Sequence, residues 1–178
     1  MTPFARPQLI VLAGLPGTGK STLARELAAR SGAVWLRVDA VEAATIAAGV
    51  PPSFETGLAA YRVARDLARD HLLLGRDAIV DAVNGVEPAR AMWRELAQAC
   101  GADRIVVEVY CSDAAEHRRR VESRPPATPP LPTPTWDEVV HREYAAWNEP
   151  VFRVDGTRAA EDVAVEILTH LARARDPP

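Results

Sequence analysis

Residues 14–21 read Gly-Leu-Pro-Gly-Thr-Gly-Lys-Ser, and this octet decides how the rest of the chain is to be read. Gly14, Leu15, Pro16, Gly17, Thr18, Gly19, Lys20 and Ser21 satisfy G-x-x-x-x-G-K-[ST] at every fixed position. The flanks turn the pattern into a structural claim. QLIVLA at 8–13 is an apolar run of strand length, and residues 21–30 carry Ala and Leu at helical spacing up to Gly32. A glycine-rich turn between a strand and a helix lets the backbone approach an anion closely, so that successive N–H groups and the helix N-terminus converge on it. Lys20 then reaches β- and γ-phosphates, the Ser21 hydroxyl is placed to ligate Mg²⁺, and Thr22 donates to the α-phosphate. The expectation is a bound nucleoside triphosphate.

Outward from this unit, strands and helices alternate. AVWLRVD at 33–39 reads as a second strand, followed by a helical region at 40–48 that Pro51 and Pro52 close off. Residues 55–74 form a long helix in which Arg62, Arg65 and Arg69 share a solvated face. AIVDAV at 78–83 is a third strand, and Pro88 opens a helix to Cys100. RIVVEVY at 104–110 is the fourth strand, after which Ser112 is placed to cap a helix running to Arg124. PPATPPLPTPT then puts six prolines within ten residues, which excludes helix interior and central strand and reads as a stiff extended lid. WDEVVHREYAAW resumes helix at 136–147, PVFRVD gives a short fifth strand, and a helix at 159–173 closes the chain. This order predicts an α/β fold, a five-stranded parallel sheet covered on both faces. One domain over 1–178, with a lid segment at about 120–136, accounts for the whole chain.

Composition narrows the class. At 178 residues, 48% hydrophobic and 25% charged, the chain buries a core without staples. Its longest apolar runs are far below a membrane span, its start has no apolar signal-peptide region, and its two cysteines build no disulfide framework. A soluble protein in a reducing cytoplasm is expected. A net charge of −3 argues against a surface that wraps long nucleic acid. Of the 21 cationic side chains Lys20 is the single lysine, so the one compact ammonium stands in the glycine-rich loop. The four histidines, His71, His117, His141 and His170, form no metal-ligand pattern.

Ligands of open parallel sheets bind beyond the carboxyl ends of the strands, and two carboxylates fall there. Asp39 ends the second strand and is a candidate to orient an acceptor hydroxyl and take its proton; a helix N-cap is the competing and compatible use. Asp81 lies late in the third strand, where it serves Mg²⁺ through water, contacts the acceptor, or is a buried acid tied to backbone donors. Arg120 and Arg124, one helical turn apart, face the phosphates from the lid, whereas Arg118 and Arg119 point to solvent.

Together GLPGTGKST, VD at 38–39, VDAVN at 80–84, the Arg-x-x-x-Arg of 120–124 and WDEVVHREYAAW resemble the bacterial P-loop kinases of the AAA-domain ATP-binding type. That group is similar to chloramphenicol phosphotransferase, gluconate kinase and the kinase half of polynucleotide kinase. The resemblance implies a three-layer P-loop NTPase fold, ATP with Mg²⁺, and transfer of the γ-phosphoryl group to a hydroxyl. By position it gives Asp39 the acceptor hydroxyl, Asp81 and Asn84 the D-x-x-N substrate segment, and Arg120 and Arg124 the lid role. It places Asp155, Gly156 and Thr157 near the adenine. The lid departs from the pattern in its proline content. Three functions follow in order: a kinase of a sugar, nucleoside or antibiotic-like metabolite; a polynucleotide 5′-hydroxyl kinase; and a nucleotide-binding module that phosphorylates nothing.

Overall fold

The computed structural model describes residues 6–123 and 133–175. Arg124 and most of the proline run fall outside the described residues. Five strands form one parallel sheet in the order β2-β3-β1-β4-β5. They are β1 (Gln8–Ala13), β2 (Val34–Arg37), β3 (Ala78–Asp81), β4 (Asp103–Tyr110) and β5 (Phe152–Asp155). The apolar run of 8–13 is the central strand and is buried throughout. Its alternate side chains serve the two faces of the sheet.

Leu9 and Val11 join a core under α3 (Phe54–Leu73) and α4 (Glu87–Cys100), where Ala60, Ala64, Ala68, Leu72 and Trp93 pack. Ile10 and Leu12 join the opposite core under α1 (Lys20–Ser31) and α7 (Ala160–Arg175), built from Leu23, Leu27, Val163 and Ile167. The result is the expected three-layer P-loop NTPase architecture. The alanines at four-residue spacing on α3 bring its backbone close to the sheet, while Arg62 and Arg69 stay exposed. Among the described residues no helix is long and apolar enough to cross a membrane.

Local chemistry moves three boundaries. The second strand stops at Arg37, the last residue paired with β3, so Asp39 lies in the first turn of α2 (Val38–Ala47) rather than at a strand end. The helix after β4, α5 (Ala114–Glu122), is capped by Asp113 and not by Ser112. Asp113 Oδ1 accepts from the N–H groups of Ala115 and Glu116, and its charge suits a helix start. The helix expected over 136–147 is α6 (Trp136–Val140) alone, started by a Thr135–Glu138 capping box. It ends early because the backbone beyond it is bonded elsewhere: the Ala145 N–H donates to Gly85, and the carbonyls of Ala145 and Ala146 accept from Arg90.

Candidate active site

The loop between β1 and α1 holds Gly14, Gly17 and Gly19 at φ of 137°, 84° and 102°, a region L side chains rarely enter. Gly14 also passes so close to β4 that a Cβ would stand 2.1 Å from the Val109 carbonyl oxygen. Gly19 is the N-cap of α1 and supplies no side-chain acceptor, so the first N–H groups of the helix have no capping side chain. The loop is also bonded within itself. The Leu15 carbonyl accepts from the Thr18 hydroxyl at 2.9 Å and from Lys20 Nζ at 2.8 Å. Thr18 and Leu15 therefore shape the loop, while the ammonium is held beside it.

A cleft of about 400 Å³ opens over this loop and brings together Lys20, Ser21, Thr22, Asp39, Asp81 and Arg120. Asp81, at the end of β3, is only 5% exposed and accepts from Trp35 Nε1 at 3.4 Å. Burial pushes its carboxyl above the ordinary range; the Lys20 ammonium and Ser21 hydroxyl pull it back, Asp39 pushes it up again, and Trp35 lowers it. Arg120 reaches across from α5: its Nε donates to Glu116 at 2.7 Å and its Nη1 to the Gly156 carbonyl at 2.8 Å. Arg118 and Arg119 are exposed and paired with Glu122 and Glu116, as a solvated face requires.

Gly156, Asp155 and Arg158 line the other end of the cleft. Gly156 packs on the phosphate loop so tightly that a Cβ would lie 1.8 Å from the Thr18 carbonyl oxygen. Asp155 braces the turn. Burial would raise its carboxyl, but bonds from Ser112 and Thr157 outweigh that and bring it down to about 2. Glu42 lies one turn beyond Asp39 on α2. Its carboxyl is raised by burial and by Asp39, against the pull of Arg142.

Asn84, expected to contact substrate, has its side-chain amide bonded within the protein. Asn84 is fully buried with φ of 50°, its Nδ2 donates to the Leu12 carbonyl at 2.7 Å, and its Oδ1 accepts from Trp93 Nε1 at 2.9 Å. Both ends of the amide are spent on joining β1, the turn after β3 and α4. Two further residues escape sequence reasoning. Arg90, 2% exposed, bonds the carbonyls of Asn84, Gly85, Ala145 and Ala146 and stacks its guanidinium 3.6 Å from the Trp147 ring centroid. His117 bonds the Pro16 carbonyl at 2.8 Å. Both bring together residues more than fifty positions apart, which no local pattern announces.

A central strand, an anion-ready glycine loop, a helix start and an arginine closing over them define a P-loop NTPase fold of the α/β class. The family model described as AAA domain matches residues 9–144, and the chain belongs to that family. A shikimate kinase of Halorhodospira halophila is 31% identical over 175 residues, covering 98% of this chain and 92% of that protein. Two solved structures share the fold. The Mycobacterium tuberculosis APS kinase in complex with AMPPNP and APS has a TM-score of 0.70 at 19% identity, over 94% of this chain and 98% of that one. A gluconokinase from Sinorhizobium meliloti has a TM-score of 0.65 at 18% identity, over 96% of this chain and 95% of that one.

Proposed function

We propose that this chain is a kinase, a single domain that uses ATP and Mg²⁺ to transfer the γ-phosphoryl group to a hydroxyl of a small molecule. The observation that carries the reading is the gathering of Lys20, Asp39, Asp81 and Arg120 in one cleft over the glycine loop. A module that only binds nucleotide could use Asp81 for the metal but has no need of a further carboxylate, Asp39, aimed at an acceptor. The relative at 31% identity named as a shikimate kinase, and the APS kinase structure with AMPPNP and APS, support the class of reaction. Neither names the acceptor of this chain.

In the proposed reaction, loop N–H groups and Lys20 hold the β- and γ-phosphates, and Asp39 orients the acceptor hydroxyl in line with the γ-phosphorus. The acceptor oxygen bonds to that phosphorus as the bond to the β-bridging oxygen breaks. The acceptor proton passes to the Asp39 carboxylate, and ADP leaves. Arg120, already near Gly19 and Gly156, stabilises the charge spread over the transferring group, with Arg124 as its partner by resemblance. The Ser21 hydroxyl beside the Asp81 carboxyl is the donor set for the metal. Among the described residues no three His, Cys, Asp or Glu side chains gather as a cage. That suits Mg²⁺, which keeps its waters and takes one or two protein ligands. When bound, the ion neutralises charge on the β- and γ-phosphates.

The test is ADP release by the purified protein against pools of sugars, nucleosides, aminoglycosides, hydroxy acids and 5′-hydroxyl oligonucleotides. Acceptor-dependent turnover from a small-molecule pool, abolished by Lys20→Ala, is expected. Turnover with oligonucleotides alone, or with no pool, overturns the reading.

A further inference from the structure

We propose that His117 is a positioning residue for the phosphate-binding loop: by donating from Nε2 to the Pro16 carbonyl, it fixes the orientation of the loop's inward N–H groups. The inference rests on the proposed nucleotide site and deepens it.

A loop that turns its N–H groups toward an anion turns carbonyls outward, and each buried carbonyl needs a donor. Leu15 finds its donors nearby, in Thr18 and Lys20. Pro16, one residue on, takes its donor from 101 residues away, where His117 Nε2 stands at 2.8 Å. A carbonyl only accepts, so Nε2 carries the proton in this pair.

The imidazole is locked in place. It is 7% exposed and meets the Trp136 ring edge-on, with centroids 5.1 Å apart at 85°. A Cβ on Gly17 would fall 3.2 Å from His117 Cδ2 and 2.7 Å from Val121 Cγ2, so the ring and the loop backbone are in direct contact. The His117 backbone N–H is itself bonded to Asp113 at 2.9 Å, within the capped first turn of α5. Arg120, one turn on, reaches Gly156. One face of α5 thus fixes the loop from outside through His117 and closes over it through Arg120.

Packing and hydrogen bonding predict opposite orders for two variants. His117→Phe keeps a ring against Trp136 and loses the donor. His117→Gln loses the ring and keeps an amide N–H at a similar reach. Dissociation constants for ATP, ADP and adenosine are measured by calorimetry, with thermal unfolding to confirm the fold. With the donor decisive, His117→Phe weakens ATP and ADP about tenfold, leaves adenosine unchanged, and His117→Gln stays within about threefold of wild type. Wild-type ATP affinity in His117→Phe, or adenosine weakening in parallel, overturns the proposal. Nitrogen NMR of the wild-type imidazole is independent of any variant's folding: protonated Nε2 is expected, and an Nδ1–H tautomer refutes the bond. If the wild-type protein binds no ATP, the kinase reading falls, while the NMR result still decides the bond.

Discussion

Replacing Gly156 with alanine separates a close approach of two backbones from ordinary backbone strain. The new Cβ would stand 1.8 Å from the Thr18 carbonyl oxygen, and real Cβ atoms essentially never come within 3.0 Å of a neighbour. The obstacle is backbone on both sides, so the turn after β5 or the phosphate loop must retreat by about 1 Å or more. Overpacking of this kind costs about 1–3 kcal/mol. The same displacement breaks the 2.8 Å bond from Arg120 to the Gly156 carbonyl and disturbs the loop that Thr18 belongs to. Gly101 is the matched control: its φ is +62°, yet a Cβ there meets nothing within 4 Å. Gly101→Ala therefore carries strain alone, about 1 kcal/mol. In urea denaturation both variants lose stability. In a nucleotide titration only Gly156→Ala weakens ATP, by about tenfold or more, a loss equivalent to about 1.4 kcal/mol. Gly156→Ala binding ATP like wild type would refute the reasoning that this glycine is a contact of the phosphate loop.

Asp39→Asn is expected to leave ATP affinity nearly intact while lowering kcat by about a hundredfold or more; collapse of ATP binding instead would assign Asp39 to the metal. Asp81 makes stability depend on pH. Its folded carboxyl is raised above the ordinary aspartate value of 3.8, so the fold holds that proton more tightly than the unfolded chain. The resulting stabilisation is complete below 3.8 and is lost as pH rises through the elevated folded value. Asp81→Asn should then gain on wild type in melting temperature as pH rises through that window. A gap between the two that stays constant with pH would show that the carboxyl is not raised.

The phosphate loop and the sheet were legible because each rests on local chemistry. A glycine pattern needs positive φ within a few residues, and a buried parallel strand is a short apolar run. That Asp39, Asp81 and Arg120 line one cleft follows one step further out, because the end of β3 and the helices that leave β2 and β4 converge beyond the carboxyl edge of the sheet. The misreadings mark where long-range bonds overrule local preference. HREYAAW has helical composition, but the carbonyls of Ala145 and Ala146 are claimed by Arg90. Asn84 falls in a segment that resembles a substrate motif, yet its amide is consumed by Leu12 and Trp93, 72 and 9 residues away. His117 looked unremarkable because a lone histidine declares itself only through the carbonyl it meets.

The Arg90 guanidinium sits inside the protein with carbonyl oxygens as its bonded acceptors and the faces of Tyr144 and Trp147 nearby. Ala145 and Ala146 contribute only main-chain atoms to this arrangement, and both are exposed. Identity and rigidity are uncoupled there. Those two positions can accept nearly any side chain without freeing the chain that carries them, since peeling it away would strand a desolvated cation. A stretch with the turnover tolerance of a surface loop is thereby moored as firmly as a core strand, and new chemistry can be written onto it at little structural risk.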